Sequence, residues 1–214
     1  MPQRLSYRAR LLLTIFASAS LFLFAGATFW YQDWQYSLPT PRPKGLYQPP
    51  LGLRLDLPGE IVNLVSASAR RPVFLHFFSP SCPCSKFNLD HIRELVDTFG
   101  ERVTFLAVLE ADDRDKALRA FASLRLGIPA VVDSAVNISG RYGVYSTPQA
   151  VILDEDGRLF FRGNYNVSRY CTDPATEYAR LALEDLLARR TAPALLAAAT
   201  IAYGCQLPKH RRGQ

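Results

Sequence analysis

The chain has 214 residues, 49% hydrophobic and 21% charged, with 12 Gly and 15 Pro. That length allows one domain of about 150 residues with appendages, and the composition excludes wholesale disorder, collagen-like repeats and a multi-span transporter. The net charge of +6 sits at the two ends, in Arg4, Arg8, Arg10, Lys209, Arg211 and Arg212, which leaves a neutral body and excludes a basic groove for nucleic acid.

After a basic segment at 1–10 comes 11–31, twenty-one residues without a charge. As a helix it would be about 31 Å long, the thickness of a bilayer's hydrocarbon core. Arginines precede it and Asp33 follows, so the positive-inside rule places residue 1 in the cytoplasm and the body in the periplasm or another extracytoplasmic space. The rival is a cleaved signal peptide, for which Ala25-Gly26-Ala27 is an acceptable site. The aromatic cluster Phe29, Trp30, Tyr31, Trp34 and Tyr36 resembles an interfacial belt and favours a transmembrane anchor. Either way the body is exported, and its four cysteines sit where disulfides persist.

Residues 32–59 form a Pro-rich tether or edge-hugging lead-in, with prolines at 39, 41, 43, 49, 50 and 58. The body, 60–190, shows readable periodicity. The run 73–78, VFLHFF, is a buried strand; Ile92, Leu95, Val96 and Phe99 mark a helix face closed by Gly100. A second buried strand over 103–109 and an amphipathic helix over 112–124 make a parallel pair with crossovers. There follow a short strand at 129–133, a helical turn at 138–142, and strands 149–154 and 159–163 flanking the hairpin signal Glu155-Asp156-Gly157. A last helix is expected over 174–190, with Pro174 in its first turn, before a tail at 191–214. The expected class is α/β: a central mixed sheet flanked by helices, plus the N-terminal transmembrane helix.

A cysteine just before a helix amino terminus meets unpaired backbone N–H groups and the positive end of the dipole, which favour thiolate over thiol. Cys82 has that place, with Pro83 suited to the first turn, so it is the expected nucleophile. Cys84 is the expected resolving thiol, although a disulfide across one intervening residue is tight and readily reduced. The bland alternative is an inert disulfide staple.

The run VFLHFFSPSCPCSKF resembles the active-site region of thioredoxin-like proteins, and YGVYSTPQAVILDEDGRLFFRG is similar to the second half of membrane-tethered, extracytoplasmic members of the TlpA/ResA type. The likeness covers about 60–190. It departs at Cys82-Pro83-Cys84-Ser85, where Ser85 stands in place of the family's second cysteine, and suggests a variant subfamily with that motif. The resemblance implies a thiol-disulfide oxidoreductase acting on protein thiols and disulfides with an unidentified redox partner, and no cofactor, because the cysteines carry the electrons. It implies that Thr147-Pro148 is the cis-proline site that holds a substrate peptide beside Cys82. It also puts His76 where thioredoxins carry a buried acid, so a neutral imidazole there is a candidate proton acceptor, the alternative being a core histidine.

Two other classes stay open. Copper(I) suits soft thiolates, with Cys82, Cys84 and His76 as the ligand set; His91, seven residues past Cys84, is about 10 Å away along a continuous helix. A redox-silent thioredoxin-like interaction module leaves the cysteine motif unexplained. A peroxidase is disfavoured, since Ser79 rather than Thr stands three residues before Cys82; the sequons at Asn137 and Asn166 carry little weight.

The remaining thiols are Cys171 and Cys205. If Pro148 lies beside the site, strand 149–154 leaves from the end of the sheet where Cys82 sits and 159–163 returns there, so Cys171 can be a resolving thiol. The preferred alternative pairs Cys171 with Cys205, stapling the apolar tail 192–203 to the body, with alpha carbons less than about 7 Å apart.

Overall fold

The computed structural model describes residues 6–65, 71–133, 137–167, 173–191 and 197–207. It divides into two units, Met1–Leu38 and Pro39–Gln214.

The first unit is one helix, α1 (Tyr7–Ser37), whose first turn is capped by Ser6 Oγ accepting from the Ala9 N–H. Leu12, Phe16, Phe22 and Phe24 are exposed on its flanks. A helix apolar all round seeks a nonaqueous surrounding, and Tyr7–Gln32 is long and apolar enough to cross a membrane.

The second unit runs through α2 (Gly59–Val62), β1 (Val73–Phe78), α3 (Pro83–Phe87), α4 (Leu89–Phe99), β2 (Thr104–Leu109), α5 (Arg114–Ala122), β3 (Ala130–Val132) and α6 (Asn137–Tyr142). It continues with β4 (Ser146–Thr147), β5 (Gln149–Leu153), β6 (Leu159–Gly163), a 3₁₀ turn (Pro174–Thr176), α7 (Tyr178–Leu187), α8 (Ala197–Thr200) and β7 (Cys205–Gln206). Five strands make the central sheet in the order β3-β2-β1-β5-β6. β1, β2 and β3 are parallel, while β5 runs antiparallel to β1 and β6 antiparallel to β5. This is the thioredoxin-like mixed sheet.

Because side chains alternate along a strand and both faces are covered, β1 is apolar at nearly every position. Phe74 and Phe78 enter one core with Ile92, Leu95 and Phe99 of α4 and Ala179, Ala182 and Leu183 of α7. Val73, Leu75 and Phe77 enter the opposite core with Ile61 of α2 and Ile138 and Tyr142 of α6. His76 shares the face of Phe74 and Phe78 and is wholly buried.

The helix expected after the cysteines is two helices. Asn88, at φ −94° and ψ 3°, interrupts it, and its Nδ2 donates to the Cys84 carbonyl at 3.1 Å. The Pro-rich stretch hugs an edge rather than hanging free: the Gly52 N–H donates to the Leu159 carbonyl, the Leu159 N–H to Leu53, and the Leu55 N–H to Gly157. The outer side of β6 is thereby covered at its start, a protection that sheet edges need.

The tail is also docked. Asn164 Nδ2 donates to the carbonyls of Ala198 (2.8 Å) and Ile201 (2.6 Å), and the Asn164 N–H to Ala199. Ala199, Ala202 and Leu207 are fully buried. Close approach matters at Gly163, where any Cβ would collide with the Ala199 carbonyl.

Candidate active site

Strand β1 ends at Phe78 and delivers a turn in which the Cys82 N–H donates to the Ser79 carbonyl at 3.0 Å, while the Ser79 N–H donates to Ser85 Oγ at 3.3 Å. Cys82 is the N-cap of α3, with φ −89° and ψ 118°, and Pro83 opens the helix. Its own side chain makes no capping hydrogen bond. The sulfur thus sits at the amino-terminal end of α3, the end whose dipole favours a thiolate.

Cys82 Sγ lies 3.5 Å from the Thr147 carbonyl oxygen, and the Thr147-Pro148 peptide is cis. The topology expected from sequence explains the meeting. Gln149 at the start of β5 pairs with Phe77 at the end of β1, and Gly163 at the end of β6 pairs with Ala150. The Cys82 turn, β4, the start of β5 and the end of β6 thus share one end of the sheet.

The disulfide is not the one preferred from sequence. Cys82 is bonded to Cys205, 123 residues away, with alpha carbons 5.9 Å apart. Cys205 is consequently not paired with Cys171, which lies outside the described residues. The physical reason is the docked tail: β7 runs antiparallel along β4, setting Thr147 opposite Cys205 and Ser146 opposite Gln206. Gly204 permits this, because at φ 137° any Cβ would strike the Thr147 carbonyl. Thr40 closes the arrangement, its Oγ1 donating to the Gly204 carbonyl at 3.0 Å and lying 3.0 Å from Ser146 Oγ.

Cys84 is a free, buried thiol rather than the partner of Cys82. Burial pushes its pKa up, against a smaller downward pull from a backbone hydrogen bond, so it is a weaker nucleophile than a solvent-exposed thiol. The sulfur atoms of Cys82, Cys84 and Cys205 all lie within 4.8 Å of one another, and His76 is not part of that cluster.

His76 Nδ1 shares a hydrogen bond of 2.5 Å with the Tyr165 hydroxyl, and its Nε2 has no partner among the described residues. Burial lowers its pKa to about 3, so the ring is neutral. His91, released from the straight-helix geometry by the break at Asn88, packs edge-on against Tyr165, with its Nδ1 3.8 Å from a Glu177 carboxylate oxygen. Its pKa is also lowered, by burial first and with the Glu177 charge opposing. Neither histidine is brought to the sulfurs by a hydrogen bond.

Sequence reasoning singled out Cys205 but gave it to Cys171 rather than to Cys82, and it missed Gly204, Thr40 and Tyr165. The one local signal for the tail is a glycine directly before a cysteine in Tyr203-Gly204-Cys205-Gln206-Leu207, and it says nothing of where that cysteine docks.

The thiol-disulfide oxidoreductase ResA of Bacillus thuringiensis (strain Al Hakam) is 31% identical over 106 residues, 49% of this chain and 60% of the relative, so the chain spans three fifths of that relative's length. A hypothetical protein from Sinorhizobium meliloti 1021 superposes with a TM-score of 0.62 at 17% identity, covering 75% of this chain and 95% of that one. An uncharacterized conserved protein from Geobacillus kaustophilus superposes at 0.61 with 21% identity, covering 79% and 97%. Those two likenesses concern the fold. A family model, Domain of unknown function (DUF6436), matches residues 58–207, from the lead-in to α2 through β7 and therefore across all three clustered cysteines, and the chain belongs to that family.

Proposed function

We propose that this protein is an extracytoplasmic thiol-disulfide oxidoreductase, anchored by α1, that exchanges disulfides with protein thiols through Cys82. The observation that carries it is the Cys82 sulfur: at a helix N-cap, already in a disulfide, and 3.5 Å from the carbonyl of Thr147. The helix terminus stabilises Cys82 as thiolate, which makes it both a good attacking group and a good leaving group. Thr147, on a short strand with a pairing edge, supplies main-chain groups to an extended peptide, and Pro148 donates no N–H to compete. The ResA relatives, named thiol-disulfide oxidoreductases, point the same way. Two electrons reside in the sulfur pair, so the exchange needs no further cofactor.

The test is reduction of insulin disulfides by dithiothreitol in the presence of the full chain in detergent micelles. The wild-type chain should accelerate it, and Cys82→Ser should return the rate to background; equal rates for the two would overturn the proposal. For the anchor, the chain should stay in the membrane fraction after alkaline wash, with the body open to protease only from the outer side. A soluble species beginning near Thr28 would replace the anchor with a cleaved signal peptide.

One observation favours a second reading. Three sulfurs within 4.8 Å, once reduced, make a soft-metal site of Cys82, Cys84 and Cys205, with Cys205 taking the place expected for His76. Stoichiometric copper(I) that shields all three thiols from alkylation, in a chain that does not accelerate insulin reduction, would establish it.

A further inference from the structure

We infer that Cys205 is the resolving thiol and that β7 is a built-in stand-in for the substrate strand, competing with it for the edge of β4; this rests on the oxidoreductase reading above. A disulfide requires the two alpha carbons to approach within roughly 4.4–6.8 Å, and Cys205 meets this at 5.9 Å while its backbone pairs with Thr147. A substrate cysteine bonded to Cys82 must satisfy the same limits beside the same carbonyl. The substrate and β7 therefore exclude each other, and the oxidised protein, with Cys82 2% exposed, has its own tail in the substrate's place.

The tail is built for exchange. Its pairing with β4 is two residues long, and most of the remaining docking lies upstream, in α8 and the Asn164 contacts. Gly204 stands between the two parts, and its backbone conformation is one that side chains oppose, which makes it the natural hinge. Beyond it, among the described residues, Cys205, Gln206 and Leu207 must lift, Leu207 being held by its buried side chain and by its N–H donating to the Tyr145 carbonyl. Of the three clustered sulfurs Cys84 is the unsuitable second partner: it is buried within α3 itself, on the same rigid turn as Cys82.

The cycle balances. In the reduced protein with β7 lifted, the Cys82 thiolate attacks one sulfur of a substrate disulfide; the Cys82–substrate bond forms, the substrate S–S bond breaks, and the second substrate sulfur leaves as thiolate and takes a proton from water. β7 then returns, displacing the substrate strand from β4. The Cys205 thiol loses its proton to water and attacks Cys82 Sγ; the Cys82–Cys205 bond forms, the Cys82–substrate bond breaks, and the first substrate sulfur leaves as thiolate and takes a proton from water. The substrate gains two electrons and two protons; the chain gives up the two electrons, and its two protons go to water, one when Cys82 ionises and one from Cys205. The reverse sequence oxidises a substrate dithiol.

The experiment uses the full chain in detergent micelles with insulin as the probe. Mass spectrometry of the oxidised, alkylated chain should give a Cys82–Cys205 linked peptide; a Cys82–Cys84 or Cys171–Cys205 link in its place overturns the inference. In Cys205→Ser, a Cys82–insulin mixed disulfide should accumulate and multiple turnover should fall about tenfold or more, because the intermediate lacks its resolving thiol. The same adduct should not accumulate in Cys84→Ser. Gly204→Ala keeps every thiol but hinders docking of β7, so it should lengthen the life of the adduct. Turnover of Cys205→Ser at the wild-type rate, or trapping by Cys84→Ser instead, overturns the inference and leaves the oxidoreductase reading intact. A wild-type chain that carries the Cys82–Cys205 link yet never reduces insulin overturns that reading, and the inference with it.

Discussion

Two segments supply the two sulfurs of one bond, and they are held by different physics. Cys82 rides on regular structure: β1 sits at the centre of a five-stranded sheet, and the helices that follow the turn lock Ile92, Leu95 and Phe99 into the core. Cys205 rides on 197–207, which has one short helix and a two-residue strand, and is held by Asn164, Tyr145 and Thr40 and by buried alanines that bring backbone close to backbone. Burial of large apolar side chains makes the first segment part of the fold's global stability, whereas the second is held by directed hydrogen bonds and a few small buried side chains, so its local opening is expected to cost less than global unfolding. On the function proposed above, the site spanning both has one fixed sulfur and one that can leave.

That contrast can be broken from either side. Leu95→Ala empties a fully buried site in the helix-covered core and should cost about 2–5 kcal/mol of global stability, seen as a lower denaturant midpoint of the whole body. Asn164→Ala leaves the Ala198 and Ile201 carbonyls without their donor and should cost about 1–3 kcal/mol. Its distinguishing sign is local: in the reduced chain Cys205 alkylates faster while the midpoint of the sheet moves little. A global loss as large as that of Leu95→Ala would show that the tail is part of the core after all.

Acid sharpens the same comparison. His76 and His91 both lie in the helix-covered core beside Tyr165, and burial lowers the pKa of each. A histidine neutral in the fold but protonated when unfolded adds stability that is complete above the ordinary value near 6.5 and drains as pH falls, by up to about 1.4 kcal/mol per pH unit per group. For His76 the window runs from about 6.5 down to about 3. Denaturation at pH 7 and pH 5 should show this loss, and His76→Gln should reduce it; an unchanged slope would mean that His76 is not the group responsible. The smallest expected effect is kinetic: Cys84, buried and with its pKa raised, should alkylate more slowly in the folded chain than after unfolding, and comparable rates would contradict its burial.

The legible parts of this molecule are those whose information is local. The near-continuous apolar run of β1, the i, i+3, i+4, i+7 face of α4, the Asp156-Gly157 hairpin and the N-cap place of Cys82 can each be read from a window of a dozen residues. The resemblance around Thr147-Pro148 placed a second segment at the site, and the Cys82–Thr147 approach agrees with it. The break at Asn88 was hidden because the apolar face continues past it. The pairing of Cys205 was hidden more deeply: four cysteines allow three pairings, and nothing near Cys205 names its partner.

By itself the sequence determined the apolar N-terminal helix, the α/β order, the buried strands and the cysteine at a helix start, because hydrophobic period and helix-terminus chemistry act over a few residues. Only the tertiary structure decided which sulfur faces Cys82. That choice depends on the Ala199 backbone passing over Gly163, on Asn164 reaching the tail backbone at Ala198, Ile201 and Tyr203 and on Gly204 lying against the Thr147 carbonyl, contacts between segments about 35–60 residues apart whose energies exist only once the sheet has brought them together.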